Sequence, residues 1–251
     1  MKVLVACEYS GTVRDAFAKI GHLAVSCDLL PSDSPGYHKQ CDVREILHLG
    51  WDLMIAHPPC TYLSVSGMHW TTRGLRDPQL TEDALDFVRL LMSAPIPKIA
   101  LENPVSVISS RIRKPDQVVQ PWWFGDDASK KTCLWLKGLP KLSAAKIVPP
   151  AGWKRVKFAA DLFDQETEET WCEERQADFA DCECYGPTQD GIQYKEIDGM
   201  LFGRPEGESN KTIWGNQTPS GQNKLGPSPD RWKIRSKTYQ GVADAMAGQW
   251  G

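Results

Sequence analysis

The chain has 251 residues and a mass of 28.1 kDa, with 41% hydrophobic and 24% charged residues, which suits one α/β domain with a modest insertion. No apolar run reaches the roughly 18 residues of a membrane span, and the first residues lack the pattern of a secretory signal, so we expect a cytoplasmic protein with no membrane association. Eight scattered cysteines favour reduced thiols, a metal site or catalysis over a disulfide framework.

The net charge of -3 conceals an asymmetry along the chain. Residues 161–208 hold 15 Asp plus Glu against 3 Lys plus Arg, which leaves 17 Asp plus Glu against 26 Lys plus Arg elsewhere. The two parts therefore carry charges of -12 and +9. A positive main part suits a polyanionic partner, although charge blocks are more often solvated surface.

The first half of the chain alternates between strand and helix patterns. Short apolar runs predict strands at 3–6, 23–26, 52–56 and 98–101. Helical apolar spacing predicts helices at 13–20 and, after the start signal Asp77-Pro78, at 78–92. This alternation predicts an α/β fold with a doubly wound, mostly parallel, Rossmann-like sheet.

The pattern changes past Lys131. One more strand is predicted at 132–136, followed by Pro-rich and acidic segments and a polar stretch from Gly203 to Asp230, and helical spacing returns at 237–250. We therefore predict a first domain at 1–145, an irregular insertion at 146–230, and a C-terminal segment at 231–251 that docks back on the first domain.

Polar residues lie just beyond the ends of the predicted strands. These residues are Tyr9, Asp28, Cys60 and Glu102. Because the carboxyl ends of parallel strands meet at one edge of a sheet, where such folds bind ligands, we expect these side chains to converge on one crevice.

A cofactor is expected at one end of this crevice. The turn from Glu8 to Thr12 joins a strand to a helix, so its backbone amides and the helix dipole suit a polar or anionic group. Asp28 is placed to bind a ribose diol and Asp42 to receive an adenine amino group. The alternative is that these are ordinary turn formers and loop acids. Neither GxGxxG nor GxxxxGK[ST] occurs, which argues against an ordinary dinucleotide or nucleoside-triphosphate enzyme.

Two motifs carry the reactive groups. His57-Pro58-Pro59-Cys60 and Leu101-Glu102-Asn103-Pro104 each follow a predicted strand. In order and spacing they resemble the Pro-Cys and Glu-Asn-Val motifs of the DNA (cytosine-5) methyltransferases. Tyr9-Ser10-Gly11 is similar to the Phe-x-Gly cofactor turn of that family, and the tail from Arg235 resembles its closing motif and final helix. The resemblance covers roughly residues 1–140 and 231–250, as in a small and divergent member.

The resemblance implies methyl transfer from S-adenosyl-L-methionine to carbon 5 of a cytosine flipped out of double-stranded DNA, by a monomeric enzyme of DNA methylation or restriction-modification. Cys60 would add to carbon 6 as a thiolate, and Glu102 would protonate or hydrogen-bond ring nitrogen 3. Loss of the carbon 5 proton and of the thiolate then restores the base. The implied cofactor-binding residues are Tyr9, Ser10, Gly11, Asp28, Asp42 and Pro58. The implied substrate-binding residues are Pro59, Asn103, Lys131 and Arg235.

The sequence departs from the family pattern at three places. Ala56-His57 stand where the family usually has two glycines, and Thr61 stands where it has Gln. The Gln-x-Arg-x-Arg motif of the family is missing, and Lys130 or Lys131 would take over its cationic role. Two other interpretations therefore stay open: a cytosine-modifying enzyme that acts on RNA or nucleotide, and a catalytically silent DNA-binding protein on the same fold.

The insertion offers two candidate features, and the family resemblance makes it the target-recognition region. Cys172, Cys182 and Cys184 would supply three ligands of a zinc site, or are reduced surface thiols, and we assign no metal to them. The polar stretch from Ser209 to Lys233 is rich in amide and cationic side chains, which contact phosphates and base edges or simply form a surface loop.

Overall fold

The computed structural model describes residues 1–155, 171–172, 177–178, 192–205, 207, 211–220 and 223–251. Within these residues the chain forms two compact units. The first unit combines Met1–Lys146 with Leu225–Gly251, and the second is Ile147–Lys224. The boundaries predicted from sequence, 145/146 and 230/231, differ from these limits by one and six residues.

A seven-stranded sheet forms the centre of the first unit. Its strands are β1 Lys2–Ala6, β2 Leu23–Asp28, β3 His38–Gln40, β4 Leu53–Ala56, β5 Lys98–Pro104, β6 Gln117–Val119 and β7 Thr132–Lys137. They lie in the order β3-β2-β1-β4-β5-β7-β6, and only β7 runs antiparallel to its neighbours. This is the Rossmann order of five strands with an antiparallel strand placed before the sixth. The prediction of a mostly parallel sheet is confirmed.

Helices cover both faces of this sheet. They are α1 Thr12–Lys19, α2 Val65–Thr72, α3 Gln79–Met92, α4 Ile108–Arg111, α5 Arg231–Ser236 and α6 Gln240–Trp250. Short 3₁₀ turns occupy Val43–Glu45 and Pro121–Trp123. None of the helices in the described residues has the length and apolar character required to cross a membrane.

The core has two layers because strand side chains alternate between the faces of the sheet. Leu4 and Met54 point to the face covered by α3 and α4, where Leu85 and Ile108 are fully buried. Val3, Val5 and Ile55 point to the other face, where α1 packs against α6. A sheet buried on both faces explains why its central strands have almost uninterrupted apolar sequences.

The second unit is built from short antiparallel strands, whereas the sequence predicted an irregular region. Strands β8 Lys154–Arg155, β11 Ile192–Ile197 and β12 Met200–Pro205 form one sheet, and β9 Trp171–Cys172 pairs with β10 Ala177–Asp178. Trp153 is buried, and its ring centroid lies 5.2 Å from the Arg204 guanidinium carbon. Alternation is hard to detect from sequence in strands this short.

Candidate active site

The parallel strands bring the two predicted reactive residues to one edge of the sheet. Ala56 of β4 pairs with Leu101 of β5, so His57 and Glu102 are the next residues along two adjacent strands. Cys60 follows three residues later, where the chain leaves β4 for α2. This edge is also where β1 and β2 end, as the sequence predicted.

Glu102 is held by a histidine. His57 Nδ1 donates a hydrogen bond to Glu102 Oε2 at 3.0 Å, and the two side chains are only 9% and 12% exposed. Burial by itself would raise the pKa of Glu102, but the hydrogen bond from His57 and the charge of Lys130 hold that pKa below its usual value. The carboxyl group is therefore ionised at neutral pH. The sequence analysis noted His57 only as a departure from the family pattern and missed this contact.

Cys60 is an exposed residue whose thiol is nevertheless protonated at neutral pH. Burial of the sulfur among neighbouring atoms and the negative charge of Glu102 raise the pKa of the Cys60 thiol, while the charges of Lys130 and Arg235 lower it. Burial and the carboxylate prevail. The charges of Glu102, Lys130 and Arg235 thus all act on the Cys60 thiol.

The two neighbouring lysines are not equivalent. Lys130 is half-buried, its Nζ donates to the Arg235 carbonyl at 3.3 Å, and its charge acts on both Cys60 and Glu102. Lys131 is exposed and is not among the charges that shift either pKa. Of the two lysines considered from the sequence, Lys130 therefore acts on this group, together with Arg235, whereas Lys131, named there as substrate-binding, does not shift either pKa.

Asn103 supports the loop that carries Cys60. Its Nδ2 donates to the Pro58 carbonyl at 2.8 Å, and the residue is only 1% exposed. The Cys60 carbonyl in turn accepts from the Ser64 amide at 2.8 Å, which closes the turn that leads into α2. The Asn103 amide group thus fixes the loop, and a direct contact with substrate stays a prediction for this residue.

A cavity of about 220 Å³ lies beside this loop. Its lining includes Cys7, Asp28, Asp42, Pro59 and Phe87. The lining contains Pro59, assigned to the substrate from sequence, and not Pro58, which was assigned to the cofactor and is buried. Neighbouring prolines in an extended turn face different ways, and the sequence does not indicate which one meets the cavity.

The two acids of the cavity differ in what they can still bind. Asp28 Oδ1 accepts from the Leu30 amide at 2.9 Å, and Oδ2 has no partner among the described residues. Asp42 uses both oxygens on Arg44, one on the amide at 2.9 Å and the other on the guanidinium at 2.8 Å. Asp28 is therefore free to bind a ligand, whereas Asp42 would have to give up a contact.

The turn after β1 differs from the expected anion site. The buried Glu8 carboxylate accepts from the amides of Val13 and Arg14 at 2.7 and 3.2 Å, so the amides at the start of α1 are already paired. Gly11 has a φ of 76°, and a Cβ there would collide with the Arg14 guanidinium. The glycine therefore accommodates a buried arginine. The expectation that this turn meets a polar or anionic cofactor group stays a prediction, and such a group would have to displace the Glu8 carboxylate from these two amides.

Tyr9 and Ser10 also make local contacts. Tyr9 OH donates to the Lys233 carbonyl at 3.0 Å, and its ring centroid lies 6.1 Å from that of Trp232. Ser10 Oγ bonds to Glu8 and Thr12. Tyr9, Ser10 and Gly11 are not among the residues that line the cavity. Their cofactor role stays a prediction, and the structure shows Tyr9 tying the first strand to α5.

Cys7 marks strain at the end of β1. It has a φ of 59°, which is uncommon for a residue other than glycine, and it lines the cavity. Burial, with a contribution from Asp28, raises the pKa of the Cys7 thiol to about 12. Backbone strain of this kind often lies at functional sites. It fits a role for the cavity in ligand binding.

The three cysteines considered as zinc ligands or reduced thiols fall where the structure gives no side chains. The cysteines at 172, 182 and 184 lie outside the side chains that are described, as do the polar residues Ser209, Asn210 and Gln222. Within the described part of the chain, no group of three or more His, Cys, Asp or Glu side chains is arranged to hold a metal ion.

Comparisons with known proteins give likenesses to solved structures only. No family model and no curated protein matches the chain. A crystal structure from E. coli, described as a "putative DNA modification methyltransferase" encoded within a prophage, matches with 14% identity and a TM-score of 0.41. The match covers 78% of this chain and 60% of that one, so this chain spans less than two thirds of its length. A likeness of this size identifies neither a family nor an activity.

Proposed function

We propose that the protein is an S-adenosyl-L-methionine-dependent DNA (cytosine-5-)-methyltransferase. The observation that carries the proposal is an exposed thiol, Cys60, in the loop that follows β4, next to the adjacent parallel strand β5, which carries the ionised carboxyl of Glu102. Two cations, Lys130 and Arg235, favour the thiolate at the same place. A nucleophile beside a base and beside positive charge is the arrangement that covalent catalysis on a ring carbon requires.

The resting protonation states suggest how the first step is balanced. The Cys60 thiol carries a proton and Glu102 does not, so the carboxylate accepts the thiol proton as the sulfur bonds to carbon 6 of cytosine. The same proton passes to ring nitrogen 3, and carbon 5 becomes enamine-like. After methyl transfer the carbon 5 proton leaves to solvent, and the sulfur–carbon bond breaks with its electron pair on sulfur. The proton on ring nitrogen 3 then returns through Glu102 to the Cys60 thiolate. Both protein groups then return to their starting states.

The cavity beside Pro59 fits an adenosine-type cofactor. Asp28 keeps one free oxygen for a ribose diol at the end of β2, as acids do in nucleotide-binding α/β folds, and Phe87 provides an apolar wall. S-adenosyl-L-methionine would supply the methyl group. Because the amides at the start of α1 are bound to Glu8, we assign no anionic group of the cofactor to that helix.

Double-stranded DNA is the proposed substrate. Outside residues 161–208 the chain carries a charge of +9, and α5 contributes Arg235, whose charge acts on Cys60. The target carbon is inaccessible in stacked DNA, so the base must be extruded at a cost of a few kcal/mol. We assign recognition of the flanking bases to the second unit, as the resemblance to the family implies.

A trapping experiment tests this function. DNA that contains 5-fluorocytosine cannot lose its carbon 5 substituent as a proton, so with S-adenosyl-L-methionine the wild type should form an adduct that survives denaturation. Cys60→Ser should form none while it still binds cofactor. Ordinary DNA with labelled cofactor should yield 5-methylcytosine with the wild type only.

Other outcomes would favour the alternatives. Label that enters only RNA or free nucleotide indicates a different substrate for the same chemistry. Binding of both cofactor and DNA by the wild type, without adduct or label, indicates a silent DNA-binding protein. Loss of cofactor binding in Cys60→Ser would mean that the cysteine is structural.

A further inference from the structure

His57 contacts Glu102, and the proposed function has not yet assigned a role to this histidine. His57 stands where the family that the chain resembles usually has glycine, and a glycine has no side chain with which to make this contact. His57 and Glu102 follow the paired residues Ala56 and Leu101, so their side chains leave adjacent strands side by side. The sheet register therefore builds the contact.

We propose that His57 is a positioning residue, which fixes Oε2 of Glu102 through Nδ1 so that the other oxygen faces the ring nitrogen of the substrate base. This inference rests on the proposed function. It assigns to this histidine the orientation of the group that moves the proton between Cys60 and the base. Without the contact, the carboxyl group would be free to rotate away from the base.

The hydrogen bonds of the pair leave the required atom open. Oε2 of Glu102 accepts from His57 at 3.0 Å, and Oε1 accepts no hydrogen bond from the described part of the chain. The imidazole is also well placed to be rigid, since it is only 9% exposed. Its Nε2 is buried and has no hydrogen-bond partner within the described residues, so the ring has no second contact that competes for its orientation.

The other described titratable groups near Glu102 do not hold its carboxylate by a hydrogen bond. Lys130 acts on Glu102 through its charge, but its Nζ bonds to the Arg235 carbonyl. Cys60 and the buried Cys133 have their pKa values raised, first by burial and then by Glu102 itself, so they stay neutral thiols. His57 is thus the group that makes a direct hydrogen bond to the carboxylate.

Two variants of nearly equal size separate this role from packing. His57→Asn keeps an N–H donor close to the position of Nδ1, and His57→Leu fills the same space without a donor. We expect His57→Leu to lower kcat for methyl transfer about 100-fold, the lower end of a general acid–base contribution, with little change in KM for the cofactor. His57→Asn should recover at least about a tenfold share of that loss. His48→Ala, an exposed histidine away from the site, is the control.

A second readout needs no activity. A ¹³C NMR titration of Glu102 in protein without ligands should show a pKa below the usual range in the wild type and in His57→Asn. In His57→Leu the pKa should rise, because burial is then less opposed. The amide variant also keeps the test valid if the leucine variant does not fold.

The outcomes distinguish this inference from the proposed function. If the wild type neither methylates DNA nor forms the fluorocytosine adduct, the proposed function fails, and the titration still reports on the pair. If the wild type methylates DNA and His57→Leu is as fast, with the same Glu102 pKa as the wild type, the inference is wrong and the function stands. Equal loss in both variants, with no change in the Glu102 pKa, would assign His57 to packing and also overturn the inference.

Discussion

Cys60 is subject to opposing charges, and their balance sets how easily its thiolate forms. Burial and Glu102 raise the thiol pKa, while Lys130 and Arg235 lower it. The thiolate is the nucleophile, so its fraction at a given pH limits the rate of attack. Loss of a neighbouring cation should therefore slow the reaction of this sulfur with any electrophile.

Lys130→Ala should reduce the rate at which iodoacetamide modifies Cys60 at neutral pH by about two- to fivefold, since a partly exposed charge pair contributes up to about 1 kcal/mol. The pH midpoint of the modification should move upward, because the variant has lost a group that lowers the thiol pKa. Mass spectrometry of the peptide that contains Cys60 measures both quantities.

Lys131→Ala is the matched control, because Lys131 is the exposed neighbour whose charge does not shift the Cys60 pKa. It should leave the rate and the midpoint unchanged. Equal slowing in both variants would show that the two lysines act only through the general potential of the surface, and the distinction between them would be lost.

The positions of Cys60 and Glu102 near the carboxyl edge of the sheet could be predicted from sequence, because each follows an apolar run that forms a buried strand. Their catalytic roles stay predictions. Which of two adjacent residues faces the site could not be predicted. Lys130 and not Lys131 acts on the thiol, and Pro59 and not Pro58 lines the cavity. A shift of one residue reverses the direction of a side chain, and nothing in the pattern fixes that direction in a turn.

The final helix shows how an element is fixed by one close contact. Gly241, in the first turn of α6, donates its amide proton to Asp126 Oδ2 at 3.0 Å. A Cβ at Gly241 would lie 2.7 Å from that oxygen and would also collide with the Phe124 carbonyl. The helix therefore begins in direct contact with the loop before β7, and its apolar residues pack in the same core layer as α1.

Gly241→Ala should destabilise the protein by about 1–3 kcal/mol, the usual range for overpacking, because the Phe124 carbonyl belongs to the backbone and cannot rotate away. Urea denaturation followed by circular dichroism gives the free energy of unfolding. Gly248→Ala is the control on the same helix, since no described atom lies within 4 Å of its added Cβ. That change should be neutral or stabilising by up to about 1 kcal/mol, because alanine favours helix. Similar losses in both variants would contradict the close contact at Gly241.

Element type could be predicted where burial dominates and not where strands or helices are short and polar. β1 and β4 are buried on both faces and appear in the sequence as apolar runs. β3, with the sequence His-Lys-Gln, is an edge strand held by backbone pairing with β2, which leaves no hydrophobic pattern. Helix α5 likewise has no hydrophobic pattern, because none of its six residues has a buried side chain.

At the scale of the whole molecule, positive charge is concentrated outside the acidic segment 161–208. This acidic segment lies entirely within the second unit, and the rest of the chain carries a charge of +9. Proteins that neutralise DNA phosphates release condensed counterions, and their affinity then falls linearly with salt on logarithmic axes. The slope counts the phosphate contacts.

Binding of the protein to double-stranded DNA should weaken steeply with salt, and Arg235→Ala should reduce the slope of log K against log salt by about 1, the share of one phosphate contact. Lys19→Ala is the matched control: this lysine ends α1, which runs back from the carboxyl edge of the sheet, so it lies at the opposite edge from Cys60. Fluorescence anisotropy with one labelled duplex at several salt concentrations measures all three slopes. A wild-type slope near zero would exclude a polyanionic substrate, and equal slopes for Arg235→Ala and the wild type would remove Arg235 from the DNA-binding surface.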